Sequence, residues 1–316
     1  MRIAVAGSGQ LGTSVLLPLL KSNHEIVAIV QDGRQTRPWR RPFARATSAI
    51  LGGSTNMLRH AFHNGIPVYW LNRFDEQALA PLAALEPDVL LVSGFAIILQ
   101  PPLLELPRIG CVNMHSSLLP RHRGPNPFTA VLAQGESESG VTFHVMEPSI
   151  DTGAILDQTP FPITDKDTMF SVYKTACRIA SERAVAVMDQ VEAKGLEGRP
   201  QDPAHASYDK KPVGEDALID WSRSAAEIQR LVRAYAPNVL PRFQHRGKTV
   251  YLAQAAVGEG ETAEPPGTVL TARRAMMVAT GDGVLQMRVM FTRTPMPWVW
   301  PAPWNRPAKG DRLDNG

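Results

Sequence analysis

The chain has 316 residues, of which 44% are hydrophobic and 20% charged, with a formal net charge of +3. This length predicts about two globular domains, and the composition excludes collagen-like, disordered and coiled-coil proteins for most of the chain. Because Cys111 and Cys177 are the only cysteines, a disulfide framework and a cysteine-rich zinc site are excluded, and a reducing cytoplasm is the simplest setting.

The first part of the sequence alternates predicted strands with predicted helices. The strands are predicted at 3–6, 25–30, 67–69, 89–92, 110–115 and 142–146, and the helices at 13–21, 54–64, 75–86, 127–134 and 169–194. Such alternation indicates an α/β fold with a Rossmann-like, mostly parallel sheet covered by helices. No apolar run reaches the roughly 18 residues of a membrane span, so no membrane partner is expected.

The composition changes after residue 195. Residues 196–212 are rich in Gly, Pro and polar residues without an apolar period, which is typical of a linker. A predicted helix and four short predicted strands follow, at 225–234, 249–253, 267–270, 276–279 and 285–290. Short strands bounded by glycine indicate a small, OB-like β-barrel. We therefore predict a catalytic domain at 1–195, a linker at 196–212 and a β-barrel-like domain at 213–316.

Positive charge is unevenly distributed along the chain. Residues 1–198 contain 17 Lys and Arg against 18 Asp and Glu, whereas residues 199–316 contain 16 against 12. No acidic residue occurs from 33 to 74. A solvated loop is the simplest explanation, but guanidinium groups that hold phosphates and an indole that stacks on a base would also suit a polyanionic acceptor. The candidate acceptor-binding residues, called the basic segment below, are Arg34, Arg37, Trp39, Arg40, Arg41 and Arg45.

Gly7, Gly9 and Gly12 form a G-x-G-x-x-G motif between a predicted strand and a predicted helix, and Asp32 follows at the end of the next strand. This context fits a dinucleotide fingerprint, in which glycines let a pyrophosphate approach the helix N-terminus and a carboxylate holds a ribose. A tight strand-to-helix turn also favours glycine without any phosphate. The motif alone therefore keeps an NAD(P)-dependent oxidoreductase as an alternative.

Asn113 and His115 lie two residues apart on a predicted strand, so their side chains should emerge on one face, roughly 6.6 Å apart. An amide can donate to a developing oxyanion and an imidazole can exchange a proton, which suits attack on a carbonyl. Asp151, in a loop that contains glycine, is a candidate to orient the imidazole. Each of the three also has a purely structural explanation, as a hydrogen-bonding group or a turn cap. Cys111 is too far along the strand to pair with His115, and no metal-ligand spacing is recognised, so no metal is predicted.

Longer motifs surround these residues. The stretch 111–124 reads C-V-N-M-H-S-S-L-L-P-R-H-R-G, and G-V-T-F-H-V-M at 140–146 and D-T-G at 151–153 follow it. In this order and spacing, these elements resemble the 10-formyltetrahydrofolate-dependent formyltransferase family. Motifs at 208–211, 219–222, 266–268 and 280–283 resemble the C-terminal half of the family's tRNA-formylating members, so the resemblance covers nearly the whole chain.

The resemblance implies transfer of the formyl group of 10-formyltetrahydrofolate to the amino group of initiator methionyl-tRNA. It implies that Asn113 and a protonated His115 stabilise the oxyanion, that Asp151 holds His115, and that no metal or DNA takes part. It also implies two folate-binding segments, whose residues are Phe95, Ala96, Ile97, Leu99, Ser117, Leu118, Leu119 and Pro120. A small amine, such as an amino sugar on a nucleotide, stays an alternative acceptor, as do a hydrolase and a non-catalytic RNA-binding relative.

Overall fold

The structure is a computed structural model that describes residues 1–34, 40–41, 43–44, 47–48, 52–272, 276–291 and 307–315. Arg37, Trp39 and Arg45 of the basic segment lie outside these residues. The chain divides into two compact units. Unit 1 comprises Met1–Pro125, Ser139–Pro162 and Tyr173–Asp209, and unit 2 comprises Asn126–Glu138, Ile163–Val172 and Lys210–Gly316. The break at Asp209 lies inside the predicted linker, whose bounds stay a prediction.

Unit 1 is organised around a sheet in which, among the described residues, seven strands are joined. The strands are β1 (Arg2–Gly7), β2 (Glu25–Asp32), β3 (Val68–Leu71), β4 (Val89–Ser93), β5 (Gly110–His115), β6 (Glu138–Val145) and β7 (Ile155–Pro162). Their order is β3-β2-β1-β4-β5-β6-β7. Strands β1 to β5 pair in parallel, whereas β6 is antiparallel to β5.

Helices connect these strands, as the sequence alternation predicts. They are α1 (Gly9–Leu19), α2 (Met57–His63), α3 (Glu76–Ala83), α4 (Pro101–Leu104), α5 (Pro127–Gln134) and α6 (Met169–Lys194). Side-chain caps begin two of them: Asn56 accepts a hydrogen bond from the Leu58 N–H at 3.0 Å, and Asp75 accepts one from the Ala78 N–H at 3.0 Å. None of the helices in the described part of the chain is both long and apolar enough to cross a membrane.

The core of unit 1 follows from the central position of its parallel strands. Every residue of β4 is buried, and β1 is buried from Ile3 to its end. Strands covered on both faces read as continuous apolar runs, which is why these two are recognisable from the sequence. Because β4 and β5 are parallel neighbours, Ser93 pairing with Met114, their carboxyl ends meet at one edge of the sheet. Ligands bind at such edges in open α/β sheets.

Unit 2 contains an antiparallel sheet of five strands within the described residues. The strands are β8 (Arg242–His245), β9 (Lys248–Val257), β10 (Val269–Ala272), β11 (Met276–Ala279) and β12 (Val284–Phe291), in the order β10-β11-β12-β9-β8. Helix α7 (Ala225–Tyr235) starts with a reciprocal capping box between Ser224 and Glu227. The core includes Trp221 and Phe243, whose rings meet edge to face at 5.3 Å.

The predicted fold class, a Rossmann-like, mostly parallel sheet followed by a small, OB-like β-barrel domain, is confirmed: unit 1 has the mostly parallel sheet, and unit 2 has an antiparallel sheet consistent with a small barrel. Strands β7 and β8 are absent from the sequence prediction. In β7, half-buried residues at 157–159 and two prolines weaken the apolar pattern, and β8 has only four residues. The antiparallel direction of β6 was also not foreseen, because strand direction is not encoded in local periodicity.

Candidate active site

The three predicted catalytic residues converge beside the carboxyl end of β5. Asn113 and His115 lie two residues apart on β5, and Asp151 lies in the loop between β6 and β7. The Asn113 Nδ2 is 3.5 Å from the Asp151 Oδ1, and the His115 Nδ1 is 3.7 Å from the Asp151 Oδ2. One amide, one imidazole and one carboxylate therefore border the same small region.

Two neighbours fix the orientation of the His115 ring. Its Nε2 donates a hydrogen bond to the backbone carbonyl of His122 at 2.8 Å, and its Nδ1 faces Asp151. Burial lowers the pKa of His115, although the charge of Asp151 and the bond to the His122 carbonyl act in the opposite direction. The neutral imidazole with hydrogen on Nε2 is therefore favoured at rest, whereas the resemblance implied a protonated ring.

Asp151 has a left-handed backbone conformation, with φ of +53°, which is uncommon for a residue other than glycine. Burial alone would raise its pKa, but the neighbouring His115 and His144 and the backbone N–H of Gly124 outweigh burial and lower the pKa. The Gly124 N–H donates to the Asp151 Oδ2 at 2.9 Å. Asp151 is therefore ionised at neutral pH and can stabilise positive charge on His115.

The Asp151 loop is held by residues that the sequence reasoning missed. The side-chain amide of Gln201 donates to the carbonyls of Asp151 and Gly153, at 2.9 and 2.8 Å. The buried guanidinium of Arg123 in turn donates to the Gln201 Oε1 at 2.8 Å and to the Tyr208 hydroxyl at 2.6 Å. A Cβ on Gly153 would collide with the carbonyl of Val145, so the loop requires glycine there. Gln201 and Tyr208 come from the predicted linker, so this segment contributes directly to the site.

His144 is a further residue that the sequence reasoning missed. It pairs in register with Asn113 across β5 and β6, and it is 1% exposed. Its Nδ1 donates to the Val145 carbonyl at 2.8 Å, which leaves Nε2 as the acceptor for the Asn113 Nδ2 at 3.1 Å. In the sequence, the signal that could have identified His144 is its position in the G-V-T-F-H-V-M motif at 140–146. Its position opposite Asn113 depended on the unforeseen antiparallel pairing.

The first predicted folate-binding segment directly follows β4. Ile97 and Leu99 are buried, Phe95 is half-buried, and Ala96 is exposed. The Ala96 carbonyl accepts a hydrogen bond from the Arg34 guanidinium at 3.2 Å. Because the segment follows β4 and β4 is the parallel neighbour of β5, it lies at the sheet edge that also carries Asn113 and His115.

The second predicted folate-binding segment, 117–120, directly follows β5. Ser117 is fully buried, and its hydroxyl donates to the Arg121 carbonyl at 2.8 Å. Leu118 is half-buried and packs where a side chain on residue 140 would otherwise lie, which explains Gly140. Leu119 is buried, and its carbonyl accepts from Gln158 at 2.8 Å, while Pro120 is half-buried. The hydroxyl of Ser117 thus stabilises the loop itself.

The described arginines of the basic segment have different environments. Arg34 is exposed and forms a two-point ion pair with Asp32, at 3.0 and 2.9 Å. Arg41 donates to the Gly33 carbonyl at 2.9 Å, and its guanidinium lies 5.8 Å from the centre of the Trp70 ring. Arg40 is exposed.

Packing explains the glycine motif. A Cβ on Gly7 would collide with the carbonyl of Ser93, and one on Gly12 would collide with the Met57 sulfur. Asp32, the residue that would hold a ribose in an oxidoreductase, is engaged by the Arg34 guanidinium. Gly7 and Gly12 therefore serve the close approach of β1 to β4 and of α1 to β1 and α2, whereas Gly9 has a φ of +56° that favours glycine. A buried thiol is equally unsuited to catalysis, since burial raises the pKa of Cys111 to about 12.

One group of side chains in the described residues has ligand atoms close enough for a metal: His24, Asp189 and Glu192, within 4.8 Å of one another. The amino group of Met1 donates to the Glu192 Oε1 at 2.8 Å, and the His24 Nε2 lies 3.1 Å from the Asp189 Oδ1. These contacts already pair the cluster as an ionic network, so we assign no metal to it.

Comparison with known proteins covers nearly the whole chain. The family model described as formyl transferase matches residues 1–191, and the model described as formyl transferase, C-terminal domain, matches residues 213–297. The chain is 36% identical over 289 residues to the methionyl-tRNA formyltransferase of Ectopseudomonas mendocina (strain ymp), covering 91% of this chain and 88% of the relative. It is 35% identical, with the same coverage, to that of Stutzerimonas stutzeri (strain A1501).

A solved structure shows the same fold at lower sequence identity. The N-formyltransferase from Helicobacter canadensis, in complex with folinic acid and dTDP-3-aminofucose, aligns with a TM-score of 0.69 and 19% identity, over 90% of this chain and 98% of that chain. At this identity the likeness concerns the fold alone. The two family models and the extent of the identity to curated relatives decide the classification: this chain belongs to the formyl transferase family.

Proposed function

We propose that this protein transfers the formyl group of 10-formyltetrahydrofolate to the amino group of initiator methionyl-tRNA. The observation that carries the proposal is the convergence of Asn113, His115 and ionised Asp151 at the carboxyl end of β5. Support for the acceptor comes from two curated relatives named methionyl-tRNA formyltransferase, which are 35 and 36% identical over 91% of the chain.

The reaction begins when the neutral amine of the acceptor attacks the formyl carbon. A carbon–nitrogen bond forms, and the electron pair of the carbonyl moves to oxygen. We assign stabilisation of that oxyanion to Asn113, because one N–H of its amide is directed to His144 while the other is only loosely held by Asp151 at 3.5 Å. When the carbonyl re-forms, the bond to N10 breaks and tetrahydrofolate leaves.

His115 moves the proton that this exchange requires. The attacking amine loses one proton and N10 gains one, so a group that accepts and then returns a proton balances the reaction. A neutral His115 can accept it on Nδ1, because Nε2 already carries the hydrogen donated to the His122 carbonyl. Asp151 then faces an imidazolium and stabilises its charge, and that imidazolium also favours the nearby oxyanion.

We assign the two substrates to different, adjoining segments of unit 1. The segments 95–99 and 117–120 would hold the folate, the first mainly through backbone groups. The arginines of the basic segment, among which Arg34 and Arg40 are exposed, would contact phosphates of the tRNA. In the same proposal, residues 1–195 form the catalytic domain and residues 213–316 form an accessory domain for the acceptor.

The test uses the purified full chain with 10-formyltetrahydrofolate and charged initiator tRNA. We expect formyl-methionyl-tRNA to accumulate together with tetrahydrofolate in equal amounts, and Asn113→Ala and His115→Ala to abolish most of both. Uncharged tRNA and free methionine are the matched negative controls.

Three outcomes would overturn the proposal. Transfer at background rate to charged initiator tRNA would exclude this acceptor. Faster transfer to a nucleotide-linked amino sugar would assign the protein to small-amine substrates. Release of formate instead of an N-formyl product would identify a hydrolase.

A further inference from the structure

A second histidine–aspartate pair lies directly behind the catalytic histidine. His122 is 2% exposed, and its Nδ1 lies 2.7 Å from the Oδ2 of Asp209. The Asp209 side chain is 16% exposed. His122 belongs to the loop that follows β5, whereas Asp209 belongs to the segment predicted as a linker.

The His122 peptide group contacts the catalytic residue itself. Its carbonyl oxygen accepts the hydrogen bond from the His115 Nε2 at 2.8 Å and a longer one, at 3.4 Å, from the Ser117 hydroxyl. Its N–H donates to the Ser207 hydroxyl at 2.8 Å. The direction of the carbonyl therefore depends on how the amide and the side chain of His122 are held.

The backbone of His122 is in an unfavourable conformation. Its φ of +59° lies in the left-handed region, which costs energy for a residue with a Cβ and persists only where surrounding contacts enforce it. Those contacts come from residues 207–209. The Arg123 N–H donates to the Ser207 carbonyl at 2.9 Å, and the Asp209 N–H donates to the Arg123 carbonyl at 2.9 Å.

We propose that His122 and Asp209 form a positioning pair that holds the His122 carbonyl in place and thereby fixes the tautomer and orientation of His115. With Nε2 committed to that carbonyl, the Nδ1 of His115 is left facing Asp151 and the reacting atoms. The role of the pair in turnover rests on the proposed function, whereas its effect on the His115 ring does not. An imidazole held by a carboxylate resembles the outer-shell contacts that orient metal-bound histidines.

The experiment removes the pair in the full chain and measures both turnover and the ring itself. Asp209→Ala and His122→Ala should lower kcat about ten- to a hundredfold with KM for both substrates nearly unchanged, since a small misplacement of a catalytic group costs up to about 10² in rate. Nitrogen chemical shifts of His115 should change from the single Nε2–H tautomer to a mixture. His122→Asn should retain most of the rate, because asparagine tolerates the left-handed region and keeps a donor near the Nδ1 position.

The chain offers a matched control in the same segment. His205 and Asp202 also form a histidine–aspartate pair, at 3.0 Å, but both side chains are exposed. Asp202→Ala should leave kcat and the His115 shifts unchanged. Asp209→Asn keeps an acceptor oxygen without the charge, so it should retain more of the rate than Asp209→Ala, and His122→Ala provides a second variant if Asp209→Ala does not fold.

Two results would overturn the proposal: an unchanged His115 tautomer in folded Asp209→Ala or His122→Ala, or equal effects of the Asp209→Ala and Asp202→Ala substitutions. If the unmodified protein formylates no acceptor while Asp209→Ala still alters the His115 shifts, the proposed function fails and the positioning pair stands. If the unmodified protein formylates charged initiator tRNA but Asp209→Ala leaves the His115 shifts unchanged, the proposed function stands and the positioning pair fails.

Discussion

The Asn113 Nδ2 lies 3.1 Å from the Nε2 of His144, its partner across β5 and β6. This bond holds the amide in one orientation, in which, by the proposed mechanism, its second N–H donates to the reacting oxygen. His144 thus selects the donor that Asn113 presents.

Replacing His144 tests this relationship. His144→Leu removes the acceptor and should lower kcat about ten- to a hundredfold, since losing a hydrogen bond to a buried group costs about 1–3 kcal/mol. His144→Gln, which can place an oxygen near the Nε2 position, should recover part of the rate. Steady-state kinetics at saturating folate and tRNA measures both. A His144→Leu protein with full kcat would refute this role.

Burial and the charge of Asp151 have opposite effects on the pKa of His115. Burial lowers the pKa of His115 and Asp151 opposes that effect, so Asp151→Asn should lower the pKa of His115 further. Histidine resonances followed by NMR from pH 8 to pH 4 should show the His115 transition below the usual value of about 6.5, and lower still in the variant. Because His115 binds a proton more readily in the unfolded chain than in the folded protein, it should also lower the free energy of unfolding as the pH falls below about 6.5. An upward movement in the variant would contradict this arrangement.

The basic segment should contribute through phosphate contacts. Arg40→Ala is expected to weaken binding of initiator tRNA and to reduce the slope of log K against log salt concentration by about one unit. Filter binding between 50 and 300 mM salt measures the slope. Arg178→Ala is the control, because Arg178 is also an exposed arginine but lies on α6, outside the basic segment. Identical slopes for the two variants would exclude the segment from the tRNA interface.

Gly153 should tolerate no side chain. Gly153→Ala brings a Cβ against the Val145 carbonyl and must move the Asp151 loop, so kcat should fall by about 10². A Cβ on Gly53 meets nothing within 4 Å, so Gly53→Ala should behave like the unmodified protein. Parallel kinetics of the two variants checks the difference. Equal kcat values would show that the loop position is not critical.

Unit 2 should depend strongly on one aromatic side chain. Trp221 is 2% exposed, packs against Phe243, and donates from its indole to the Asp314 carbonyl at 3.2 Å. Trp221→Ala should lower the free energy of unfolding by about 3–5 kcal/mol, as large-to-small core substitutions do. Urea denaturation measures this free energy. Val213→Ala is the control: because Val213 is 52% exposed, its substitution should change the free energy of unfolding by no more than about 0.5 kcal/mol. Equal losses would contradict the assignment of Trp221 to the core.

The sequence allowed prediction of those features that depend on local pattern. Strand β5 is recovered with its bounds, and alternation alone places Asn113 and His115 on one face. The closeness of Asp151 to Asn113 and His115 could not be predicted in this way, since it depends on the antiparallel direction of β6 and on the left-handed conformation of residue 151. Contacts between distant segments were equally inaccessible: His122 and Asp209 are 87 residues apart, and neither has a periodic signal.

The interleaving of the two units along the chain limits how the protein can be dissected. Helix α5 interrupts the sequence of unit 1, yet it belongs to unit 2, where α7 packs against it. A fragment ending at residue 209 would retain α5 but lose α7, so the part of α5 that contacts α7 would be exposed to water. Such a fragment should therefore be less stable than the full chain, and its activity would not report on the intact protein.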